Sequence, residues 1–283
     1  MSKFFDRVNH DKLMARVART IKDKRVLKLI RLYLQSGVMV DGVVRDRKEG
    51  TPQGGPLSPL LSNIMLTDLD RELEKRGHKF VRYADDCNIY VKSQRAGERV
   101  FGSMKVFLEN VLSLTVNEEK SSVGRPTKQV FLGFGFYYRR GQVRTRLTQR
   151  AIDKVKDRVR EITGRSKGTS MSWTLEELRK ALQGWVMYYS MADCKTKLME
   201  LDGWIRRKLR AKYWKQWKRA YPRYKALRRL GVSVAEAWDL AKSKKGIWRM
   251  SLTPQMNQAL SNAFLHEQGL VSLERIYVSK HAS

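Results

Sequence analysis

Hydrophobic residues recur along the chain in two periods, and the change from one to the other divides it. Leu13, Val17 and Ile21 fall at helical spacing, and Val26, Leu29, Ile30, Tyr33 and Leu34 repeat the pattern, so residues 10–35 predict two short helices. VMVDGVVRD (38–46) places two β-branched runs around Asp41-Gly42, the composition of a hairpin. The Pro/Gly-rich loop TPQGGPLSP (51–59) leads into a helix over 59–77 that offers Leu60, Ile64, Leu66 and Leu69 to a core. In FVRYADDCNIYVKS (80–93), Val81, Tyr83, Cys87, Ile89 and Val91 alternate about a two-acid centre, which predicts strand, tight turn and strand. Helix returns over 96–113, followed by loop and strand to about residue 147. Beyond residue 150 only helix is predicted: Ile152, Val155, Val159 and Ile162 form one face and Lys/Arg the other.

Composition adds a partner to this outline. Across 283 residues, 58 Lys+Arg against 28 Asp+Glu give a net charge of +30. Charge of that size repels itself and suits a polyanion, nucleic acid first. Residues 204–229 hold twelve Lys/Arg and no acid. Cys87 and Cys194 are far apart, and the chain has four histidines, which leaves no zinc-ribbon or zinc-finger spacing. No stretch approaches the roughly 20 apolar residues of a membrane span, and the first residues are charged throughout. The expectation is a soluble cytoplasmic protein with no membrane partner.

The candidate chemistry lies at Asp85-Asp86. Adjacent carboxylates repel, and a divalent cation relieves the repulsion; Mg²⁺ favours carboxylate and phosphate oxygens. Asp is also common in solvated turns, so the pair alone leaves both readings open.

Its company changes the balance. FFDRVNH (4–10), TPQGGPLSPLLSN (51–63), YADD (83–86), LTVNEEKS (114–121) and FLGF (131–134), in that order, resemble the reverse transcriptases encoded by group II introns. Downstream, LQGWVMYYSM (182–191), LDGWIRRKLRAKYWKQWKR (201–219) and KKGIWRMS (244–251) resemble the same family's maturase-specific thumb region. The resemblance implies an α+β fold: a partial right-hand polymerase palm over 1–145, then an all-helical thumb/maturase domain over 146–283. It implies an RNA-directed DNA polymerase that also binds its intron RNA to assist splicing and mobility.

Carried across position by position, Asp85 and Asp86 match the catalytic, metal-binding pair, with two Mg²⁺ ions expected. Phe5, Gln53, Gly54, Gly55, Tyr83 and Lys120 match positions that meet incoming nucleotide or template. Phe131, Leu132, Gly133 and Phe134 match the turn that steadies the primer. The implied partners are group II intron RNA, an RNA template with DNA primer, and deoxynucleotide triphosphates.

The family's first motif opens with a third metal-binding aspartate, one position before Met1 in this numbering, and Asp6 matches the motif's second acid instead. The expectation is therefore an amino-terminally truncated chain that synthesises little DNA alone, with a separately encoded amino-terminal half or a homodimer as possible complements. The carboxy-terminal GLVSLERIYVSKHAS carries no Cys/His set, so the endonuclease module of some relatives is expected to be absent.

In the basic half, aromatic stripes such as Trp214/Trp217 and Trp185/Tyr188/Tyr189 fit a core more readily than a base-stacking platform. The cations Arg206, Arg207, Arg210, Lys215, Lys218 and Arg219 cannot all face a core, and are the expected RNA contacts. Two other readings remain open: a splicing cofactor that binds RNA without polymerising, and a degenerate intron remnant.

Overall fold

The computed structural model describes residues 7–40, 43–45, 49–52, 55–164, 166 and 168–282. It is a helix-rich α+β structure of two compact units, Met1–Arg125 and Pro126–Ser283.

In the first unit, α1 (His10–Thr20) starts at Asn9, whose side chain accepts the Lys12 amide, and α2 (Lys24–Gln35) starts at Asp23, which accepts the amides of Arg25 and Val26. Strands β1 (Val38–Val40) and β2 (Val43–Arg45) pair antiparallel in the expected hairpin, whose Asp41-Gly42 turn lies outside the described residues. The long helix α3 (Ser58–Lys75) carries Pro59 in its first turn, where a missing amide costs nothing. It buries Leu61, Met65, Leu66, Leu69 and Leu73. Leu60, expected in the core, is 57% exposed, because the buried stripe runs one residue later, through Leu61. Strands β3 (Lys79–Tyr83) and β4 (Asp86–Tyr90) form a hairpin, and α4 (Gln94–Asn110), capped by Ser93, closes the unit with Val100, Met104 and Leu108. One core joins these helices to Leu112 and Leu114, with Phe80, Cys87 and Ile89 packed on it from the hairpin. Each fully buried Leu or Met contributes roughly 1.5–3 kcal/mol.

In the second unit, β5 (Val130–Phe131), β6 (Phe134–Arg139) and β7 (Gln142–Leu147) form an antiparallel sheet in that order. Three helices follow: α5 (Gln149–Ile162), α6 (Met171–Tyr189) and α7 (Lys195–Gln216). As the periodicity predicts, α5 buries Ile152, Val155, Val159 and Ile162. They share a core with Leu178, Leu182 and Val186 of α6 and Leu198, Leu201, Ile205 and Leu209 of α7. The sheet packs with this bundle: Phe134 joins its core, and the Asp193 amide donates to the Thr145 carbonyl at 2.9 Å. The compact division therefore falls ahead of the sheet, about twenty residues before the composition shift near residue 145.

The basic stretch 204–229 is two helices. The first, α7, stops at Gln216, Lys218 adopts φ +52°, and α8 (Ala220–Arg229) begins again with Pro222 in its first turn. Trp214 at the end of α7 seeds a second core with Leu227, Val232, Leu240, Met250, Met256 and Leu260. These come from α8, α9 (Val234–Lys242), α10 (Ile247–Met250), α11 (Pro254–Ala259) and the loops between. The chain continues through α12 (Asn262–Glu267) to α13 (Leu273–Ala282), which packs on the α5–α7 core. Among the described residues, no helix is long and apolar enough to cross a membrane.

Candidate active site and nucleic-acid interface

The two acids lie at the tip of the β3–β4 hairpin. Tyr83 pairs with Asp86, so Ala84 and Asp85 form the two-residue turn. Strand alternation sorts the flanks. Tyr83, 65% exposed, and Asp86 lie on the open face; Arg82 and Cys87, the next pair, face the protein. Ala84 sits at φ +51°, where a Cβ costs about 1–2 kcal/mol and glycine is the usual occupant.

Arg82 holds that conformation. Its Nη1 donates to the Ala84 carbonyl at 2.9 Å and to Asn63 Oδ1 at 2.9 Å. Its Nε and Nη2 grip Asp70 Oδ1 and Oδ2 at 2.7 and 2.5 Å. Asn63 and Asp70 are seven residues apart on α3, one face of the helix. The helix thus fixes the turn through one guanidinium, whose pKa the Asp70 hydrogen bond raises. Behind the acids, burial pushes the Cys87 thiol up to about 11, so it stays protonated and inert at neutral pH.

Two carboxylates on one turn are hard oxygen donors. An ion held by this pair would complete its shell with water and substrate phosphate; among the described residues no group of three metal-ligating side chains gathers.

Of the other expected positions, Phe5, Gln53 and Gly54 lie outside the described residues. Gly55 is explained by packing: a Cβ there would lie 1.9 Å from the Tyr33 hydroxyl, which hydrogen-bonds Ser58. Lys120 is exposed, at the end of a short 3-10 turn whose amide Asn117 accepts.

Phe131–Phe134 forms the β5–β6 turn, with Leu132 and Gly133 both at positive φ, +52° and +83°. Tyrosines of α6 and Thr148, the cap of α5, brace it. Tyr188 Oη donates to the Leu132 carbonyl at 2.9 Å, and Thr148 donates to that of Gly133 at 3.0 Å. A Cβ on Gly133 would lie 2.5 Å from Tyr189 Oη. Tyr188 and Tyr189 also pack their rings on Phe134, at 5.6 and 5.2 Å between centroids. These tyrosines of the LQGWVMYYSM segment are supports of the turn.

The basic stretch divides in a way that sequence reasoning missed. Arg210 is only 6% exposed; it donates to the Leu260 carbonyl and to Asn262, which removes it from the expected RNA-facing set. Lys212 is buried and donates to Thr169 and Thr174. Arg207 lies 3.8 Å from the Trp248 ring centroid and donates to the Trp248 carbonyl, while Arg223 lies over Trp214. Carbonyls, hydroxyls and ring faces hold these cations, while the buried Nε of Arg207 and that of Arg223 have no hydrogen-bond partner among the described residues. Arg206 is half-buried. Lys215, Lys218, Arg219, Lys225, Arg228 and Arg229 remain exposed around the end of α7 and along α8.

Comparisons with known proteins find two families along the chain. The family described as reverse transcriptase (RNA-dependent DNA polymerase) matches residues 1–136, and the group II intron maturase-specific domain matches residues 152–231. Protein YkfC of Escherichia coli K12 is 31% identical over 44% of this chain and 41% of its own length. The group II intron-encoded protein LtrA of Lactococcus lactis subsp. cremoris is 24% identical over 56% of this chain and 39% of its own. The match thus spans about two-fifths of these relatives. A chain of a partial Cas6-RT-Cas1–Cas2 complex is 32% identical over 40% of this chain and 21% of its own, with a TM-score of 0.24, too low to bear on the arrangement.

Proposed function

Because the chain belongs to the group II intron-encoded reverse transcriptase/maturase family, we propose that it binds group II intron RNA through its helical unit and presents the carboxylates of RNA-directed DNA synthesis on the β3–β4 turn. The observation that carries this reading is the turn that bears Asp85 and Asp86, whose Ala84 is held in a left-handed conformation by Arg82 within the stretch that matches the reverse transcriptase family.

In this reading residues 1–145 supply part of a polymerase palm, and residues 146–283 the thumb/maturase domain. Asp85 and Asp86 hold Mg²⁺. When bound, two such ions stabilise the attacking and leaving oxygens of nucleotidyl transfer. Tyr83, exposed beside Asp86, and Lys120 face nucleotide and template; Gly55, with Gln53 and Gly54, belongs to the loop of the same site. The braced turn of Phe131, Leu132, Gly133 and Phe134 steadies the primer strand. Lys215, Lys218 and Arg219, with Lys225, Arg228 and Arg229, meet RNA phosphates. Deoxynucleotide triphosphates, an RNA template with DNA primer, and the intron RNA are the partners.

The test is primer extension by the chain on an RNA template in Mg²⁺. Whatever synthesis it supports falls at least about 10²-fold on Asp86→Ala, the scale of losing a group that stabilises transition-state charge. Synthesis that survives the substitution overturns the assignment of the acids. RNA binding with no synthesis favours the splicing-cofactor reading, which the exposed cations of α8 support independently.

A further inference from the structure

The aromatics of the basic stretch are not equivalent. Trp214 is buried, and Tyr213 and Trp217 pack against the second core. Tyr224 stacks face to face on Trp238 of α9, with centroids 4.3 Å apart and planes at 15°. Tyr221, one turn earlier on α8, lies near-parallel to Tyr224 at 6.3 Å and 28°, and is 60% exposed. A run of Trp238, Tyr224 and Tyr221 therefore reaches the surface and ends in an open ring.

The surroundings of that ring are cationic. Lys225 Nζ lies 5.9 Å from its centroid, and Lys218, Arg219, Arg228 and Arg229 are exposed on the same short helix and the turn before it. Residues 204–229 contain no acid that would neutralise them. An aromatic face among phosphate-binding charges suits one ligand chemistry: an unpaired nucleobase, stacked on the ring, with its flanking phosphates on the cations. A duplex offers the phosphates but keeps its base faces covered.

We propose that Tyr221 is a stacking site for an unpaired nucleotide of RNA, with Lys225 and the neighbouring cations of α8 holding the backbone on either side. The assignment rests on the reading that the helical unit binds RNA, and it adds which form of RNA the site selects: a loop, bulge or single strand. Tyr224 and Trp238 set the plane of the ring.

Fluorescence anisotropy of the full chain tests this, with a labelled single-stranded oligouridylate, a blunt RNA duplex of equal length and the corresponding single-stranded oligothymidylate as probes. Stacking worth about 1–3 kcal/mol per base corresponds to a loss of roughly 5- to 150-fold. Tyr221→Ala is expected to weaken oligouridylate binding by that factor, while duplex affinity and salt dependence change by less than about twofold. Tyr221→Phe keeps the ring and the affinity, whereas Tyr221→Leu keeps apolar bulk without a π face and behaves as Tyr221→Ala. Equal loss on single strand and duplex, or no loss on the single strand, overturns the proposal. A loss confined to oligothymidylate overturns the assignment to RNA. If the unsubstituted chain binds none of the probes, the functional reading itself fails; if it binds and Tyr221→Ala is silent, only this inference does.

Discussion

The guanidinium of Arg82 and the carboxylate of Asp70 meet in a two-pronged ion pair, with N–O distances of 2.7 and 2.5 Å, just behind the turn that carries Asp85 and Asp86. Arg82 is 11% exposed at its side chain, so the charge is drawn out of water and held by planar, matched hydrogen bonds. Its remaining nitrogen binds the turn itself through the Ala84 carbonyl. One residue thus links helix α3 to a backbone conformation that alanine adopts at a cost.

Removing either partner leaves the other charge half-buried without its mate. Arg82→Ala and Asp70→Ala are each expected to cost about 1–3 kcal/mol, less than a fully buried pair because Asp70 is partly solvated. A double-mutant cycle by denaturant unfolding should return at least about 1 kcal/mol of coupling. Arg82→Lys, which cannot bridge both oxygens and the Ala84 carbonyl, should speed amide exchange in the β3–β4 hairpin. Additive losses, or unchanged hairpin exchange in Arg82→Lys, would contradict a clamp.

Gly133 combines a left-handed φ with contact against Tyr189 Oη. Gly133→Ala is expected to destabilise the second unit by about 1–3 kcal/mol, from backbone strain and the close approach together. Tyr189→Phe removes the obstructing hydroxyl, so Gly133→Ala should cost less in that background, by about 1 kcal/mol. Equal cost in both backgrounds would show that the contact is not felt.

Asp202 is buried on α7 and accepts hydrogen bonds from the Ser272 hydroxyl at 2.7 Å and from the amides of Leu273 and Glu274 at 2.9 and 3.1 Å. It caps α13 from another helix, matching a negative charge to the positive end of the helix dipole. Asp202→Ala orphans the buried Leu273 amide and the half-buried Glu274 amide, and should lower stability by about 2–3 kcal/mol, with trypsin cutting after Arg275 or Lys280 before the rest of the unit opens. Simultaneous loss of the whole unit would show that α13 is integral to its folding.

Where periodicity carries information, the chain was legible. The α5 stripe, the β3–β4 hairpin and the helix over 58–75 all follow from spacing, since burying one face of an element demands it. Spacing could not tell Leu60 from its buried neighbour Leu61. Nor did it foresee the turn at Lys218, because a Lys at φ +52° has no compositional signature. Charge was the least legible. No acid near Arg210 or Lys212 suggested exposure, yet carbonyls and hydroxyls from distant segments satisfy both. The clamp on the Ala84-Asp85 turn did leave a trace. Arg82 directly precedes the turn strand's last residue, and Asn63 and Asp70 repeat at i, i+7 on the preceding helix, but joining them required the fold.

The proposed function requires that the exposed cations around α8 neutralise RNA phosphates. Its most direct test is the salt dependence of RNA binding by the full chain, with and without Lys218→Glu, Arg219→Glu and Arg229→Glu combined. These three side chains are exposed, so the fold should be retained. Each lost phosphate contact should shift the slope of log affinity against log salt by about 0.7–0.9, which predicts weaker binding and a slope shallower by roughly 2–3 for the triple variant. Unchanged affinity with an unchanged slope would contradict it.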